Sequence, residues 1–413
     1  MEFVGLRRSF LSSVFICGPL FRRSLSGAAA VLLLVTGCGD DGEPSRATPT
    51  ATVTGAPSPT PTGTPPGAGG ESKCPLRPGS AVNFDAADPA CELLSSYRFF
   101  VGEGRLQVPN EGVVPYDLNT ELFADYTRKH RFVRLPPGSA AQYSPEASFD
   151  FPVGTVFIKT FAAPLDLRTP AAGERVLETR LLIRRASGWV GLPYVWNEEQ
   201  TEARLRAVGA VLDVTGVQAD GVRRTHEYDV PNVNQCKACH REHDDVMGPL
   251  GPKARNLNKP YAYADDVENQ LARWGRLGIL HNAPDPATAP RAPRFDDADD
   301  GSIELRARTY LDVNCSHCHN RTGRARPTDL YLDIAQDNPF HLGICKGPTA
   351  AGVASGTFRH IIDPGRPETS ILVRRLNSDD PDIRMPELGR RRVHAEAVRV
   401  VSEWIATLEP GCE

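Results

Sequence analysis

The sequence is poor in the features that would place it in several common functional classes. Its 47 Lys and Arg residues are outnumbered by 51 Asp and Glu residues, giving a formal net charge of −4 over 413 residues. Because there is no basic excess and no DNA-binding motif, we expect no nucleic-acid partner. Methionine and histidine are scarce, with three and ten residues. Each of them can therefore be weighed individually as a candidate ligand.

The N-terminus has the pattern of an export signal. A short apolar run at residues 28–35 ends in Val35-Thr36-Gly37-Cys38, which looks like a bacterial lipobox. The run is far shorter than the roughly 20 residues of a membrane-spanning helix. We therefore expect residues 1–38 to be a lipoprotein signal peptide, with Cys38 acylated and anchored in a membrane. An ordinary signal peptide with a chance cysteine is the alternative.

The expected location is the periplasmic side or the cell surface. Gly39 carries no obvious inner-membrane retention signal, which favours the outer membrane. Residues 39–72 are rich in Pro and Thr and can bury little apolar surface. They are predicted to form a disordered tether between the membrane and the folded part.

Two Cys-x-x-Cys-His motifs carry the strongest chemical signal: Cys236-Lys237-Ala238-Cys239-His240 and Cys315-Ser316-His317-Cys318-His319. In such a motif two thiols bond covalently to haem and the adjacent histidine binds its iron. A zinc site built from both Cys-x-x-Cys pairs would leave the two histidines unexplained. A thioredoxin-like motif is disfavoured because the histidine follows directly and the motif is repeated. The sequence thus predicts two covalently attached haems c, with His240 and His319 as proximal ligands.

The sequence predicts one distal ligand for the second haem but leaves several alternatives for the first. Met385 precedes a proline and lies shortly before a C-terminal helix, a context typical of the thioether ligand of a small cytochrome. It is the expected distal ligand of the second haem. For the first haem, Met247 follows His240 by seven positions, and His226 and His281 could also reach the iron. An open iron is the further alternative, whereas His243 is too close to His240.

Four cysteines remain outside the signal and the motifs: Cys74, Cys91, Cys345 and Cys412. An exported protein folds in an oxidising compartment, so these are disulfide candidates. Of the three possible connectivities we favour Cys74–Cys91 and Cys345–Cys412, because each pair then lies within one expected domain.

Hydrophobic patterning divides the folded part. Residues 73–230 contain strand-like segments at 156–161, 178–185 and 189–196, whereas helical spacing appears at 263–280, 303–314 and 396–408. The sequence predicts an α+β multidomain protein: an N-terminal antiparallel β-sandwich-like domain followed by mainly α-helical c-type cytochrome domains. The expected boundaries are 73–230 for the β-rich domain, 231–295 for the first haem-binding region and 296–413 for the C-terminal cytochrome domain.

Beyond the motifs, the chain resembles a family of bacterial diheme c-type cytochromes that have an N-terminal β-rich region. The matching blocks span most of residues 95–405 and lie at 115–126, 188–198, 234–235, 251–258, 310–314 and 384–389. The resemblance implies an electron carrier without an assigned substrate.

The leading hypothesis is one-electron transfer between redox partner proteins. A peroxidase-like diheme oxidoreductase is the enzymatic alternative and would need an open first haem with acid–base groups nearby. A binding surface formed by Trp189, Tyr194 and Trp196 is a third possibility, although such rings are more often core residues. Lys253 and Arg255 could pair with haem propionates or belong to a surface loop.

Overall fold

The computed structural model describes residues 74–243, 246–350 and 352–412, and at 242 and 243 it describes the backbone alone. These residues belong to one compact unit, Gly69–Glu413. The predicted signal peptide, the acylation site Cys38 and the tether at 39–72 lie outside the described residues. Within the described ranges, no helix has both the length and the apolar character needed to cross a membrane.

A six-stranded antiparallel sheet is the largest element, with strand order β1-β2-β4-β5-β6-β7. Its strands are β1 (Val114–Tyr116), β2 (Arg128–Arg134), β4 (Val156–Pro164), β5 (Glu174–Arg185), β6 (Gly188–Trp196) and β7 (Ala203–Leu205). The three central strands are rich in β-branched and aromatic residues, which favour a pleated surface. The strands predicted at 156–161, 178–185 and 189–196 are thereby confirmed.

The remaining strands form two-stranded sheets in which β3 pairs with β14, β8 with β9, β10 with β11, and β12 with β13. Their bounds are β3 (Ala141–Gln142), β8 (Ala210–Val217), β9 (Arg223–Val230), β10 (Arg241–His243), β11 (Val246–Met247), β12 (Pro260–Ala262), β13 (Val267–Asn269) and β14 (Leu280–His281).

The helices are short: α1 (Val233–His240), α2 (Ala254–Leu257), α3 (Gln270–Arg276), α4 (Ile303–Asn314), α5 (Pro339–Leu342), α6 (Ile371–Leu376) and α7 (Ala395–Ala406). Helix accounts for 21% of the structure and strand for 25%. The predicted fold class, a sandwich-like domain followed by mainly α-helical cytochrome domains, is therefore wrong. The chain combines one six-stranded sheet with short helices and long irregular connections.

Two local causes explain why the C-terminal part contains less helix than predicted. The helix predicted at 263–280 is reduced to α3, because residues 260–269 pair as a hairpin. Asn269 then caps the start of α3, where its side chain accepts a hydrogen bond from Leu271 N. Residues 281–302 contain four prolines, each of which lacks an amide hydrogen and fixes φ. The chain therefore crosses this region as loops. By contrast, α4 has the predicted bounds, and the Ser302 hydroxyl caps its start by accepting from Leu305 N at 3.2 Å.

The sheet has two differently covered faces. One face packs Ile158, Leu181 and Tyr194 into a core with the chain around Tyr97 and Phe99. The opposite face, which we call the motif-side face, carries alternate residues of β4 such as Phe157, Lys159 and Phe161. Two separate apolar clusters cover its ends. One contains Phe157, Leu182, Met247 and Trp274, and the other contains Phe161, Leu177, Val214 and Tyr228.

The C-terminal part packs α4 against α6 and α7 around Tyr310, Leu311 and Trp404. A disulfide joins Cys345 to Cys412, and a second one in the N-terminal part joins Cys74 to Cys91. These are the two pairings that the sequence favoured.

His394, just before α7, forms part of the junction between the β-rich and C-terminal parts. Its ring stacks on Phe123 with centroids 4.0 Å apart, and its Nδ1 lies 3.2 Å from the Tyr310 hydroxyl. Burial lowers the pKa of His394 to about 4, which outweighs the opposing effect of Glu396. The imidazole is therefore neutral in the folded protein at pH 7.

This pKa predicts an acid-dependent loss of stability. The unfolded chain takes up the His394 proton near pH 6.5, whereas the folded chain does so only near pH 4. Stability attributable to His394 is thus complete above about pH 6.5 and falls as the pH drops, by about 2 kcal/mol between pH 6.5 and 5. Urea unfolding of His394→Gln should show a correspondingly shallower decline than wild type, with the exposed His281→Gln as control. An equal decline in both variants would contradict this role.

Candidate functional site

The first Cys-x-x-Cys-His motif lies on α1, which starts at a complete capping box. The Asn232 side chain accepts from the amides of Asn234 and Gln235, and the Gln235 side chain accepts from Asn232 N at 2.9 Å. These bonds satisfy amides that would otherwise lack partners at the helix start. The helix then places Cys236 and Cys239 three residues apart, on one side.

Gly191 allows α1 to approach the motif-side face closely. A Cβ atom at this position of β6 would lie 2.9 Å from the Cys236 Cβ and 3.0 Å from its Sγ. Any larger residue would therefore displace the first motif. The glycine explains how Cys236 can lie directly against a strand.

His240 ends α1 and is held in one orientation. Its Nδ1 lies 2.9 Å from the Gly248 carbonyl oxygen, to which it donates, and the Gly248 amide donates to the His240 carbonyl at 2.8 Å. Burial lowers the pKa of His240 to about 4, so the imidazole is neutral. A donating Nδ1 leaves the Nε2 lone pair available, which is the usual arrangement of a metal-binding histidine.

The second motif follows α4 in a helical turn, where the amides of Cys318 and His319 donate to the Cys315 carbonyl at 3.0 and 2.9 Å. It borders a cavity of about 300 Å³. Apolar side chains line much of this cavity, including Leu330, Leu332, Ile361, Leu372 and Leu376. Cys315, Cys318, His319 and Met385 line it as well. Burial also lowers the pKa of His319 to about 4. The predicted thiols, proximal imidazole and distal thioether thus converge on one space.

The loop that carries Met385 is organised by the buried guanidinium of Arg390. This group donates to the Met385 carbonyl at 2.7 and 3.1 Å. It also donates to the carbonyls of Arg375, Leu376, Ser378 and Arg392, at 2.9 to 3.2 Å. Without a carboxylate partner among the described residues, Arg390 serves as a centre of backbone hydrogen bonds.

The two motifs touch each other. The Cys318 Sγ lies 3.8 Å from the carbonyl oxygen of Ala238, a spacer residue of the first motif. Ala238 and Cys239 also line the cavity next to the second motif. Although Cys315 follows Cys236 by 79 positions in the chain, the two motifs form a single site.

A row of cations crosses the motif-side face beneath α1. Arg131, Lys159 and Arg180 are direct partners on neighbouring strands β2, β4 and β5. Arg180 is paired with the buried Glu178, and Arg131 with Asp117. Lys159 has no carboxylate within ion-pair distance among the described residues, and its ammonium lies 4.9 Å from the Phe161 ring centroid. Burial, together with Arg131 and Arg180, lowers the pKa of Lys159 well below its usual value.

Several sequence-predicted residues lie elsewhere. Met247 is buried in β11, next to Gly248, whose carbonyl accepts from the His240 Nδ1. Its role as distal ligand of the first haem stays a prediction. His281 is exposed in β14, and His226 is half-buried in β9.

The residues considered for propionate binding and for an aromatic binding surface lie in structural positions instead. Arg255 forms a two-contact ion pair with Asp312 of α4 at 2.7 and 3.2 Å, which makes it a structural link. Tyr194 and Trp196 are buried in the core, and Trp189 packs beside Phe157. An exposed aromatic binding surface is therefore excluded for Tyr194 and Trp196.

The donor set fits haem c better than zinc. Neutral imidazoles, an available thioether and an apolar cavity are the features that a covalently bound haem requires. A Cys₄ zinc site would need the four motif thiols to converge. In the described part of the chain, three or more potential metal-ligand atoms of His, Cys, Asp or Glu lie within 4.8 Å of one another only at His360, Asp363 and Cys412. The Cys412 sulfur is already in a disulfide.

Sequence reasoning missed Gly191, Lys159, Arg180 and Arg390, because their roles arise from packing between distant segments. It also passed over His317, the spacer histidine of the second motif. A histidine inside a Cys-x-x-Cys-His motif was a visible signal in this histidine-poor sequence.

Comparison with known proteins adds no relative. No protein-family model matches the chain, and neither a curated protein nor a solved structure is found to match it.

Proposed function

We propose that this chain is an exported diheme c-type cytochrome that transfers single electrons between redox partner proteins. The observation that carries the proposal is the contact between the two Cys-x-x-Cys-His motifs, with the Cys318 Sγ 3.8 Å from the Ala238 carbonyl. Haems bonded to Cys239 and Cys318 would be attached at adjacent points. Such an arrangement suits a relay better than two independent carriers.

The chain's own residues would hold and tune the two groups. Bound haem supplies an iron that changes by one electron. His240 and His319 would bind the irons as neutral imidazoles, and Met385 would supply a thioether to the second, favouring its reduced form. The unpaired Lys159 is suited to receive a propionate from the first haem.

The disulfides Cys74–Cys91 and Cys345–Cys412 support the exported location, since such bonds persist in oxidising compartments. Acylation of Cys38 would anchor the protein in a membrane, with the outer membrane favoured. The test is mass spectrometry of the protein from a membrane fraction, in which a Cys38→Ser variant should lose its lipid and its membrane association.

The central test is a count of haems and a redox titration of the purified protein. We expect a mass increase of two haems, which falls to one in Cys236→Ala/Cys239→Ala and in Cys315→Ala/Cys318→Ala. Optical titration should resolve two one-electron steps and no turnover of peroxide. Bound zinc without haem would refute the proposal, and rapid peroxide turnover would favour the oxidoreductase alternative.

Arg390 should control the ligation of Met385. Arg390→Lys replaces a planar five-donor group with a compact ammonium that cannot reach the same carbonyls. We expect weakening or loss of the optical band from methionine–iron bonding and a lower midpoint potential for one haem. The matched control is Arg399→Lys, which alters an exposed ion pair with Glu403 on α7. An unchanged band in Arg390→Lys would show that the loop does not need this guanidinium.

Lys159 should raise the potential of the first haem. A propionate beside Lys159 would favour the charged ammonium, which burial otherwise disfavours. A positive charge nearby disfavours the oxidised iron, so Lys159→Gln is expected to lower one midpoint potential, by on the order of tens of millivolts. Lys237→Gln removes an exposed lysine of the first motif and should have a smaller effect, because water screens that charge. Equal shifts in both variants would contradict a specific role for Lys159.

A further inference from the structure

His317 has no role in the sites as described so far. It occupies the second spacer position of the second motif, and it borders the cavity between the motifs. Its Nδ1 is buried and has no partner with normal hydrogen-bond geometry among the described residues, and the Val313 backbone is the one group that acts on the ring as a hydrogen-bond partner. Since buried polar atoms nearly always have partners, this imidazole needs an explanation.

The turn that contains the second motif separates its two histidines. His319 N donates to the Cys315 carbonyl at 2.9 Å, so residues 315–319 follow a helical path. Residues two apart on such a path do not face each other. His317 and His319 therefore leave the turn on different sides, although both border the cavity.

His317 lies next to the first motif. The next residue, Cys318, contacts the Ala238 carbonyl, and His317 lines the same cavity as Ala238 and Cys239 of the first motif. His240 itself is fixed from behind by Gly248, which leaves its other ring nitrogen for an iron. Met247 is buried next to Gly248, and His281 is exposed.

We propose that His317 is the distal ligand of the first haem, so that the second motif supplies a histidine to each iron. This inference rests on the proposed function, because it assigns a ligand to a haem. It makes the first haem a bis-histidine group and the second a histidine–methionine group. Histidine–methionine ligation raises the reduction potential, so the second haem is the stronger electron acceptor.

Ligation by His317 also makes the first haem depend on the second motif. His317 would hold the spacer of the second motif to the first haem, and Cys315 and Cys318 would hold the same motif to the second. Removal of the second haem should therefore loosen the ligation of the first, whereas two independent sites would show no such effect.

The experiment is EPR and optical spectroscopy of holoprotein that carries two haems. Wild type should show two low-spin ferric signals. His317→Ala should convert one of them to high spin, with the methionine–iron band of the second haem retained. Added imidazole should restore the low-spin signal, and CO should bind the reduced variant but not wild type. His317→Met should remain low spin at a higher midpoint potential.

Matched variants separate His317 from the other histidines. His281→Ala and His226→Ala should leave both low-spin signals unchanged. Two unchanged low-spin haems in His317→Ala, or loss of a low-spin signal in His226→Ala or His281→Ala, would overturn the inference while leaving the diheme carrier intact. Absence of covalent haem from wild type would instead refute the proposed function.

Discussion

Residues 117–126 run between β1 and β2 as a largely buried segment whose backbone groups find hydrogen bonds outside any sheet. Asn119 N donates to the Asn256 carbonyl at 2.9 Å, and Phe123 N donates to the Asn314 side chain at 2.7 Å. Asn314 is the residue before Cys315, so these bonds tie the β-rich part to the start of the second motif. Because buried amides without partners cost about 1–3 kcal/mol each, these bonds hold the β-rich part to α2 and to the start of the second motif.

The motif-side face shows how charge and apolar surface share this site. Apolar clusters cover its two ends, while Arg131, Lys159 and Arg180 form a row between them. Glu178 neutralises Arg180, but Lys159 lacks an acidic partner among the described residues. A buried ammonium without a counter-charge is costly, so this position favours an anionic group in the space beside the first motif. The C-terminal cavity is mainly apolar, and the two sites therefore differ in their electrostatics.

Features that depend on a contiguous stretch of sequence could be predicted, whereas those that depend on packing between distant segments could not. Both motifs, the loop of Met385 and strands β4 to β6 are contiguous patterns, and Cys315, Cys318, His319 and Met385 line one cavity in the structure. The helical content was overestimated because apolar spacing at 263–280 does not reveal the hairpin that precedes α3. Chain reach allowed Met247 as a ligand, but the side on which it lies depends on the bonds between His240 and Gly248. Gly191 and Lys159 matter only through strand pairing, which the sequence did not specify.

The contact between the motifs has a consequence for how the relay would work. Two carriers in separate domains would exchange electrons at a rate set by domain motion, whereas here the Cys318 Sγ and the Ala238 carbonyl are in direct contact. α1 is seated by Gly191 on one side and by Gly248 at its end, so the first motif cannot shift without disturbing β6 and β11. The distance between the proposed haems is therefore fixed by packing. In such a unit, the difference between the two ligand environments, rather than conformational change, would set the direction of electron flow.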